Sequence, residues 1–375
     1  MSVDDRLARL RAELDELDKT LLTTARQRNE VVRRIAGVKV DAGGSPLFDR
    51  ERERAVYTRA ERVAREIGLA SDVAHQLIEV VVEASHRTQE RASRETSEAA
   101  RRFLIVGGAG RMGKRLSVDI AARGHKIDVM EPGDPRNPAT VTAAADVVII
   151  AVPMNSAVNV TREYAPFVRG DALMCEINSL KTEVCNAMET ACRGEALGLH
   201  PMFGPTVHSL RRQKVVVCPV REGPVGSWFC RELEQIGLEL IESDPETHDR
   251  MMSVIQVLIH FATIVMGEAL RRSGVTVEES LRFTSPIYRL ELAFVGRLFA
   301  QNPDLYAEIE MTNPHGAQTR QHFLDAVHAV DKVTSSGDRR KFREMFAETA
   351  RWFQGFQTES MQLSDRIIDL LVRNP

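Results

Sequence analysis

FLIVGGAGRMGKRLSVDIAARGHKIDVMEPGD, residues 103–134, opens with four apolar residues halted by glycine, the pattern of a short buried strand. Glycines stand at 108, 110 and 113, an amphipathic helical stretch follows, and a second strand begins near Lys126. Strand, glycine turn, helix and strand in that order is βαβ grammar. The run Gly108-Ala109-Gly110-Arg111-Met112-Gly113 lies where a dinucleotide-binding turn belongs. In such a turn the first glycine permits the tight bend, the second lets a pyrophosphate approach the backbone, and the third lets helix and strand pack closely. The helix N-terminus then holds the phosphates. Glu131, 18 residues past Gly113, closes the second strand. A carboxylate there accepts hydrogen bonds from a ribose diol and repels a 2′-phosphate, which favours NAD over NADP. Arg111 keeps NADP open, because a nearby arginine accommodates the extra phosphate.

Downstream, ADVVIIAVP (145–153), DALMCEIN (171–178), ALGLHP (196–201) and KVVVCPV (214–220) read as further buried strands of a mostly parallel sheet that runs to about residue 242. Asp244, Pro245 and Glu246 make a helix start, and the remainder reads as helices. Upstream, RASRETSEAARR (91–102) is polar and aperiodic and reads as a linker. Residues 1–92 hold one proline, no cysteine and no glycine before Gly37, and are expected to be all-helical. Leu7, Leu10, Leu14, Leu17 and Leu21 alternate in spacings of three and four, and Ala25, Val32 and Ile35 extend the stripe. One helix of about thirty residues, roughly 45 Å long, is the expectation. That is too long for a compact monomeric domain, so a second chain is expected to cover the stripe. The expected fold is therefore α plus α/β: helices over 1–92, a Rossmann-like dinucleotide-binding domain over 102–242, and a helical domain over 243–375.

With 375 residues, 27% charged, and a net charge of -3, the chain has ample core and no global attraction for nucleic acid or an anionic membrane. Any anionic ligand must be met by local arginines. Five cysteines, all between 175 and 230 and without paired spacing, indicate free thiols in a reducing, cytoplasmic compartment rather than disulfides or a metal site. The charged N-terminus argues against a signal peptide. MMSVIQVLIHFATIVMGEAL (251–270) approaches membrane-span length, but Gln256 and His260 interrupt it, and a core helix buried on all sides is the expectation. His260 is expected to be a satisfied core histidine.

The first 92 residues carry 17 Lys plus Arg against 17 Asp plus Glu, so most charges solvate helix faces. Arg28 and Lys39 lie within about 20° on one helix, whereas Arg11 is about 100° round. A dimer brings all three to one point if Arg11 reaches the neighbouring site. With LRAELDELDKTLL, the Arg52-Glu53 pair and EASHRTQ (83–89), this segment resembles the all-helical chorismate mutase domain. The resemblance implies a dimer whose basic pocket holds chorismate. Arg11 of the neighbouring chain, Arg28 and Arg52 would hold carboxylates, Lys39 and Gln89 the ether oxygen, and Glu53 the ring hydroxyl. Ser85 and Asp49 would complete the polar wall. The reaction is a unimolecular rearrangement, so positioning and donors to the developing negative charge suffice.

From residue 102 onward, VGGAGRMG, INSLKT, LGLHPMFGP, HDRMMSVIQVLIHF and SPIYRLELAFVGRLFAQNPDLYAEI resemble prephenate dehydrogenase. The order of the halves resembles the bifunctional T-protein family. That implies conversion of chorismate to prephenate, then NAD-dependent oxidative decarboxylation to 4-hydroxyphenylpyruvate. His200, at the C-terminal end of a strand, is the candidate base at the 4-hydroxyl. Ser179 would share that hydroxyl or orient the histidine, and Lys181 lies near the same strand end. Arg297 and Arg289 would hold carboxylates, although Arg289 could equally brace Glu291 or Glu310. His248 would line the cleft. Family resemblance also suggests feedback inhibition by tyrosine. Two alternatives stay open: an arogenate or 3-hydroxy-acid dehydrogenase, and a non-catalytic helical dimer joined to an NAD sensor.

Overall fold

The structure is a computed structural model that describes residues 3–41, 50–93, 100–207 and 209–373. The chain forms two compact units. The first comprises Met1–Val152, Ser156–Asn178 and Glu183–Ser243, and the second Pro153–Asn155, Ser179–Thr182 and Asp244–Pro375.

In the first unit, α1 (Val3–Asp41), α2 (Arg50–Ile67) and α3 (Ser71–Ser93) come first, and α3 packs against both of the others. The stripe carries α1 further than expected, to 39 residues and about 58 Å. Val32 and Ala36 are buried near its end, but Leu7, Leu10, Leu14, Leu17 and Leu21 remain 44–59% exposed. α2 and α3 thus leave the N-terminal half of the stripe uncovered.

The sheet follows as β1 (Arg102–Val106), α4 (Arg111–Ala121), β2 (Lys126–Met130), α5 (Pro138–Ala144), β3 (Val147–Ile150), α6 (Met154–Tyr164) and β4 (Leu173–Glu176). Then come α7 (Thr182–Ala191), β5 (Glu195–Pro201), β6 (Lys214–Arg221), α8 (Pro224–Gln235) and β7 (Glu239–Glu242). The strands lie in the order β2-β1-β3-β4-β5-β6-β7, parallel except where β6 runs antiparallel to β5. Alternate residues of each strand feed two buried layers, with Leu104, Val148 and Met174 on one face and Phe103, Val147 and Leu173 on the other. Burial on both faces explains why these strands read as unbroken apolar runs. Buried Glu195 accepts hydrogen bonds from the Val225 and Gly226 N–H groups (3.0 and 2.5 Å), satisfying two free donors at the start of α8. The strand order reverses between β1 and β3, the crevice where open sheets of this type bind ligands.

In the second unit, α9 (Pro245–Met252) continues through one wide π turn, Ser253–Leu258, into α10 (Ile259–Arg272). After it come α11 (Val277–Leu281), α12 (Pro286–Phe299), α13 (Pro303–Thr312), α14 (Gly316–Ser335), α15 (Arg339–Trp352) and α16 (Gln357–Arg373). Asp244 caps α9 by accepting the Thr247 N–H (2.8 Å), as the Asp-Pro-Glu start implies. The expectation of a fully buried apolar helix is corrected here: only 11% of the apolar stretch within Pro245–Arg272 is buried. Val254, Ile255 and Ile259 are each about half exposed, because the helices of one chain cover only part of the circumference. His260 packs edge-on to Tyr306 (4.9 Å between ring centroids), but its Nδ1 has no hydrogen-bond partner among the described residues. It is a half-buried histidine rather than the expected satisfied core one.

Glu310 on α13 is buried, and neither carboxylate oxygen has a hydrogen-bond partner among the described residues. Arg320 lies 4.0 Å away and gives its hydrogen bond to the Glu310 main-chain carbonyl instead. Burial pushes the Glu310 carboxyl up to about 7, with Arg320 opposing only in part. Between the ordinary carboxyl range and about pH 7 the folded chain keeps a proton that the unfolded chain has released, so this group's contribution to stability falls as pH rises through that window. Glu310→Gln should therefore raise Tm at pH 8 by a few degrees and change it little at pH 4.5, measured by scanning calorimetry. The same shift at both pH values would contradict the assignment.

Candidate functional site

The glycine turn leaves β1 at the strand-order reversal. Gly107 has φ +83°, and a Cβ there would come within 2.7 Å of the Ala151 carbonyl oxygen. The left-handed residue is thus Gly107, whereas the motif assigned the tight bend to Gly108. At Gly108 the requirement is space, since a Cβ would strike the Val129 side chain at 2.7 Å. At Gly113 a Cβ would lie 2.7 Å from both the Gly107 oxygen and the Gly108 Cα, so helix and turn pack backbone to backbone. α4 begins at Arg111 with no side-chain cap from Gly110, which leaves its first N–H groups available to an anion. Arg111 is exposed and Met112 half-buried at that end. Glu131, the residue after β2, accepts a hydrogen bond from the Ala109 N–H (2.5 Å), so the carboxylate expected to read the ribose lies directly against the glycine turn. A cradle that a Cβ would fill, an uncapped helix start and an adjacent carboxylate fit a dinucleotide.

His200 is not a turn residue. It is the penultimate residue of β5, opposite Val216 of β6, and only 4% exposed. Strand pairing, rather than the neighbouring prolines and glycines alone, fixes its backbone.

In the second unit the segment carrying Ser179 and Lys181 is held by Asp249. Its carboxylate accepts the Lys181 N–H (2.8 Å) and the Thr182 N–H (2.9 Å), and lies 2.8 Å from His248 Nδ1. Burial pushes the Asp249 carboxyl up, but the bonds from His248, Thr182 and Lys181 outweigh this and hold it below its ordinary range. Asn313 donates to the Asp249 carbonyl (2.9 Å). His248 and Lys181 are buried and Ser179 is half-buried. Arg289 and Arg297 are both exposed on α12, and neither guanidinium has a carboxylate partner among the described residues. The bracing of Arg289 by Glu291 or Glu310 is not found.

Among the helices of the first unit, Arg28 on α1 donates to the Ser85 hydroxyl on α3 and to the Val81 carbonyl (3.1 Å). These two predicted residues do come together. Arg11 is exposed and about 25 Å up the same helix, out of reach of Arg28 within one chain. Arg52 is exposed beside Glu53 at the start of α2. The side chains of Lys39 and Gln89, and the whole of Asp49, lie outside the described residues. Glu53 meets His86 Nε2 (3.3 Å) on α3, and its two oxygens are bound by guanidinium groups from Arg211 and, at 3.2 Å, Arg212. Burial and the neighbouring Arg211 hold the His86 imidazole down at about 4.

Gly107, Asp249, His86, Arg211 and Arg212 were absent from the sequence expectations. For Gly107 a signal existed in the first glycine of VGGAG. For Arg211 there was none, since its partner is 158 residues away. Arg212 is the one non-glycine residue with positive φ (58°) among those described, a conformation that costs roughly 1–2 kcal/mol.

Known proteins match this arrangement part by part. A family profile for chorismate mutase type II covers residues 10–90. The prephenate dehydrogenase nucleotide-binding domain covers 119–226, and the prephenate dehydrogenase dimerization domain covers 244–348. The chain is 32% identical to a T-protein of Enterobacter agglomerans over 92% of its own length and 93% of the relative's. It is 30% identical to a T-protein of Haemophilus influenzae over 99% of both. A prephenate dehydrogenase from A. aeolicus, solved with hydroxyphenyl propionate and NAD+, superposes with a TM-score of 0.55 at 17% identity, covering 71% of this chain and 99% of that one. At that identity the likeness concerns the fold.

The nucleotide-binding profile begins at residue 119, beyond the glycine turn, so the turn rests on its own geometry. Gly113→Ala forces Cβ into two backbone atoms and should weaken NAD binding about tenfold or more in an isothermal titration. An unchanged Kd would refute the close packing argued for this position.

Proposed function

The chain belongs to the T-protein family, which joins a chorismate mutase to a prephenate dehydrogenase, and we propose from that premise which residues carry each step and where the parts divide. The chain has both activities: it rearranges chorismate to prephenate and oxidatively decarboxylates prephenate to 4-hydroxyphenylpyruvate, releasing CO2. NAD is the cofactor and supplies the hydride acceptor when bound. The division runs 1–92 mutase, 102–242 nucleotide-binding, 243–375 helical dehydrogenase domain, supported by profile spans that fall inside those limits for the first and third parts and begin after residue 102 for the second.

In the mutase, Arg28 and Arg52 hold the carboxylates together with Arg11 from a second chain. Lys39 and Gln89 donate to the ether oxygen as negative charge develops there, Glu53 accepts from the ring hydroxyl, and Ser85 and Asp49 complete the wall. Support comes from the Arg28–Ser85 bond, and from the exposed Leu7–Leu21 stripe that a single chain leaves uncovered. A homodimer follows, with the dehydrogenase half contributing through the partly exposed apolar face of α9 and α10, inside the span of the dimerization profile.

In the dehydrogenase, His200 takes the proton of the 4-hydroxyl as the bond to carbon dioxide breaks and the ring becomes aromatic. Ser179 shares that hydroxyl or orients the imidazole, and Lys181 lies in the same segment. Arg297 and Arg289 hold carboxylates, which suits guanidinium groups that are exposed and have no carboxylate partner among the described residues. His248 acts through Asp249 on the Ser179–Lys181 segment, rather than on substrate. Gly108, Gly110 and Gly113 with the N–H groups of Arg111 and Met112 cradle the pyrophosphate, and Glu131 reads the ribose. The observation that carries the reading is the buried His200 at the C-terminal end of β5 in a sheet with a dinucleotide turn. A cytoplasmic location is supported by five cysteines that are all free thiols, four of them buried. Tyrosine is proposed as feedback inhibitor on resemblance alone.

His200→Asn should lower dehydrogenation roughly 10²–10⁴-fold while mutase turnover stays near normal, with NADH absorbance and chorismate loss followed side by side. Equal loss of both would sink the separation of sites. Lys39→Ala should lower mutase turnover about 10²-fold or more and spare dehydrogenation of supplied prephenate; retained mutase turnover would refute its role at the ether oxygen.

A further inference from the structure

The loop between β5 and β6, residues 202–213, belongs to the dehydrogenase half, yet it ends on the mutase. We infer that Arg211 is a positioning residue of the mutase site, holding Glu53 where it can accept the ring hydroxyl of chorismate; this rests on the reading of Glu53 given above.

Four observations carry it. Glu53 is largely buried, its side chain 14% exposed, and each of its oxygens has a separate guanidinium, Arg211 on Oε1 and Arg212 at 3.2 Å on Oε2. Arg211 is equally buried, with 13% of its side chain exposed, whereas Arg212 is 59% exposed. Withdrawing a guanidinium from water is costly unless a partner repays it, which sets the Arg211–Glu53 contact apart from an ordinary surface ion pair. The turn that presents the pair is strained: Arg212 adopts φ +58°, held by its N–H donating to the Gly237 carbonyl (2.8 Å), while the Arg211 N–H donates to the Ser209 hydroxyl (3.1 Å). Strain kept in a native fold is a reason to look for function there. The loop is also anchored from the other side, because Arg115 on α4 donates to the Val207 carbonyl (2.7 Å) and pairs with Asp119 (2.6 Å).

Chemistry explains the need. A site for a dianion is a poor place for a free carboxylate, since Glu53 and the substrate carboxylates repel one another. Two guanidinium groups on Glu53 offset that repulsion and fix its direction, leaving lone pairs for a hydroxyl donor. The mutase would then be complete only in the fused chain.

The test uses the full-length enzyme with Arg211→Ala, Arg211→Lys, Glu53→Gln and the double variant Arg211→Ala/Glu53→Gln. Chorismate loss and dehydrogenation of supplied prephenate are measured separately. For Arg211→Ala, kcat/KM for chorismate should fall roughly 10- to 100-fold, the scale of a lost hydrogen bond to a charged group, with prephenate oxidation within about twofold of normal. Arg211→Lys should restore part of the loss, and the double variant should be no worse than Glu53→Gln alone. Mutase activity unchanged in Arg211→Ala, multiplied losses in the double variant, no recovery with lysine, or equal loss of both activities would each overturn the proposal. Glu53→Gln with full mutase activity would instead show that the reading of Glu53 itself is wrong.

Discussion

At the crossing of β1 and α4 the backbone comes so close that no side chain fits between: a Cβ at position 113 would lie 2.7 Å from two atoms of the preceding turn. The approach allows α4 to start directly over the strand end, with its first N–H groups uncapped and Glu131 within hydrogen-bond reach of Ala109. Gly107 makes the approach possible by taking a left-handed conformation that would otherwise cost energy. The sheet order reverses beside this same turn, so the glycine turn and the crevice of the sheet coincide. The proposed placement of the hydride acceptor, and with it the proposed role of His200, rests on that contact.

Charge is handled locally, as a chain with a net charge of only -3 requires. Arg28 bonds Ser85, Asp249 gathers two backbone N–H groups and His248, and Glu53 is set between arginines and a histidine. Each is a buried or half-buried polar group with at least one partner supplied by another element, which is what burial of charge demands. Arg289 and Arg297 are the contrast. They are exposed and without carboxylate partners among the described residues.

Both compact units also leave apolar surface uncovered. The leucines of α1 and the flank of α9 and α10 are about half exposed, although their spacing is that of packed helices. The proposed homodimer would cover both, and the dimerization profile spans the latter. For the former, a helix of 39 residues is far longer than its two neighbours can cover.

Sequence alone determined the elements and the parts whose physics is local. The three-part order, the strand-turn-helix at 103–121, the cap at Asp244 and the strand-end position of His200 all follow from periodicity, from glycine's missing Cβ or from side-chain capping, which act within a few residues. Arg28 and Ser85 were also legible, through resemblance. Tertiary structure decided the rest: that Gly107 rather than Gly108 takes the left-handed bend, that His248 is engaged by Asp249, that the apolar helix at 251–270 is only partly covered, and that Glu53 is held by arginines 158 and 159 residues away. The physical reason is common to these. A hydrogen bond or a covered face depends on which surfaces folding brings together, and no periodicity in the chain encodes a partner at that separation.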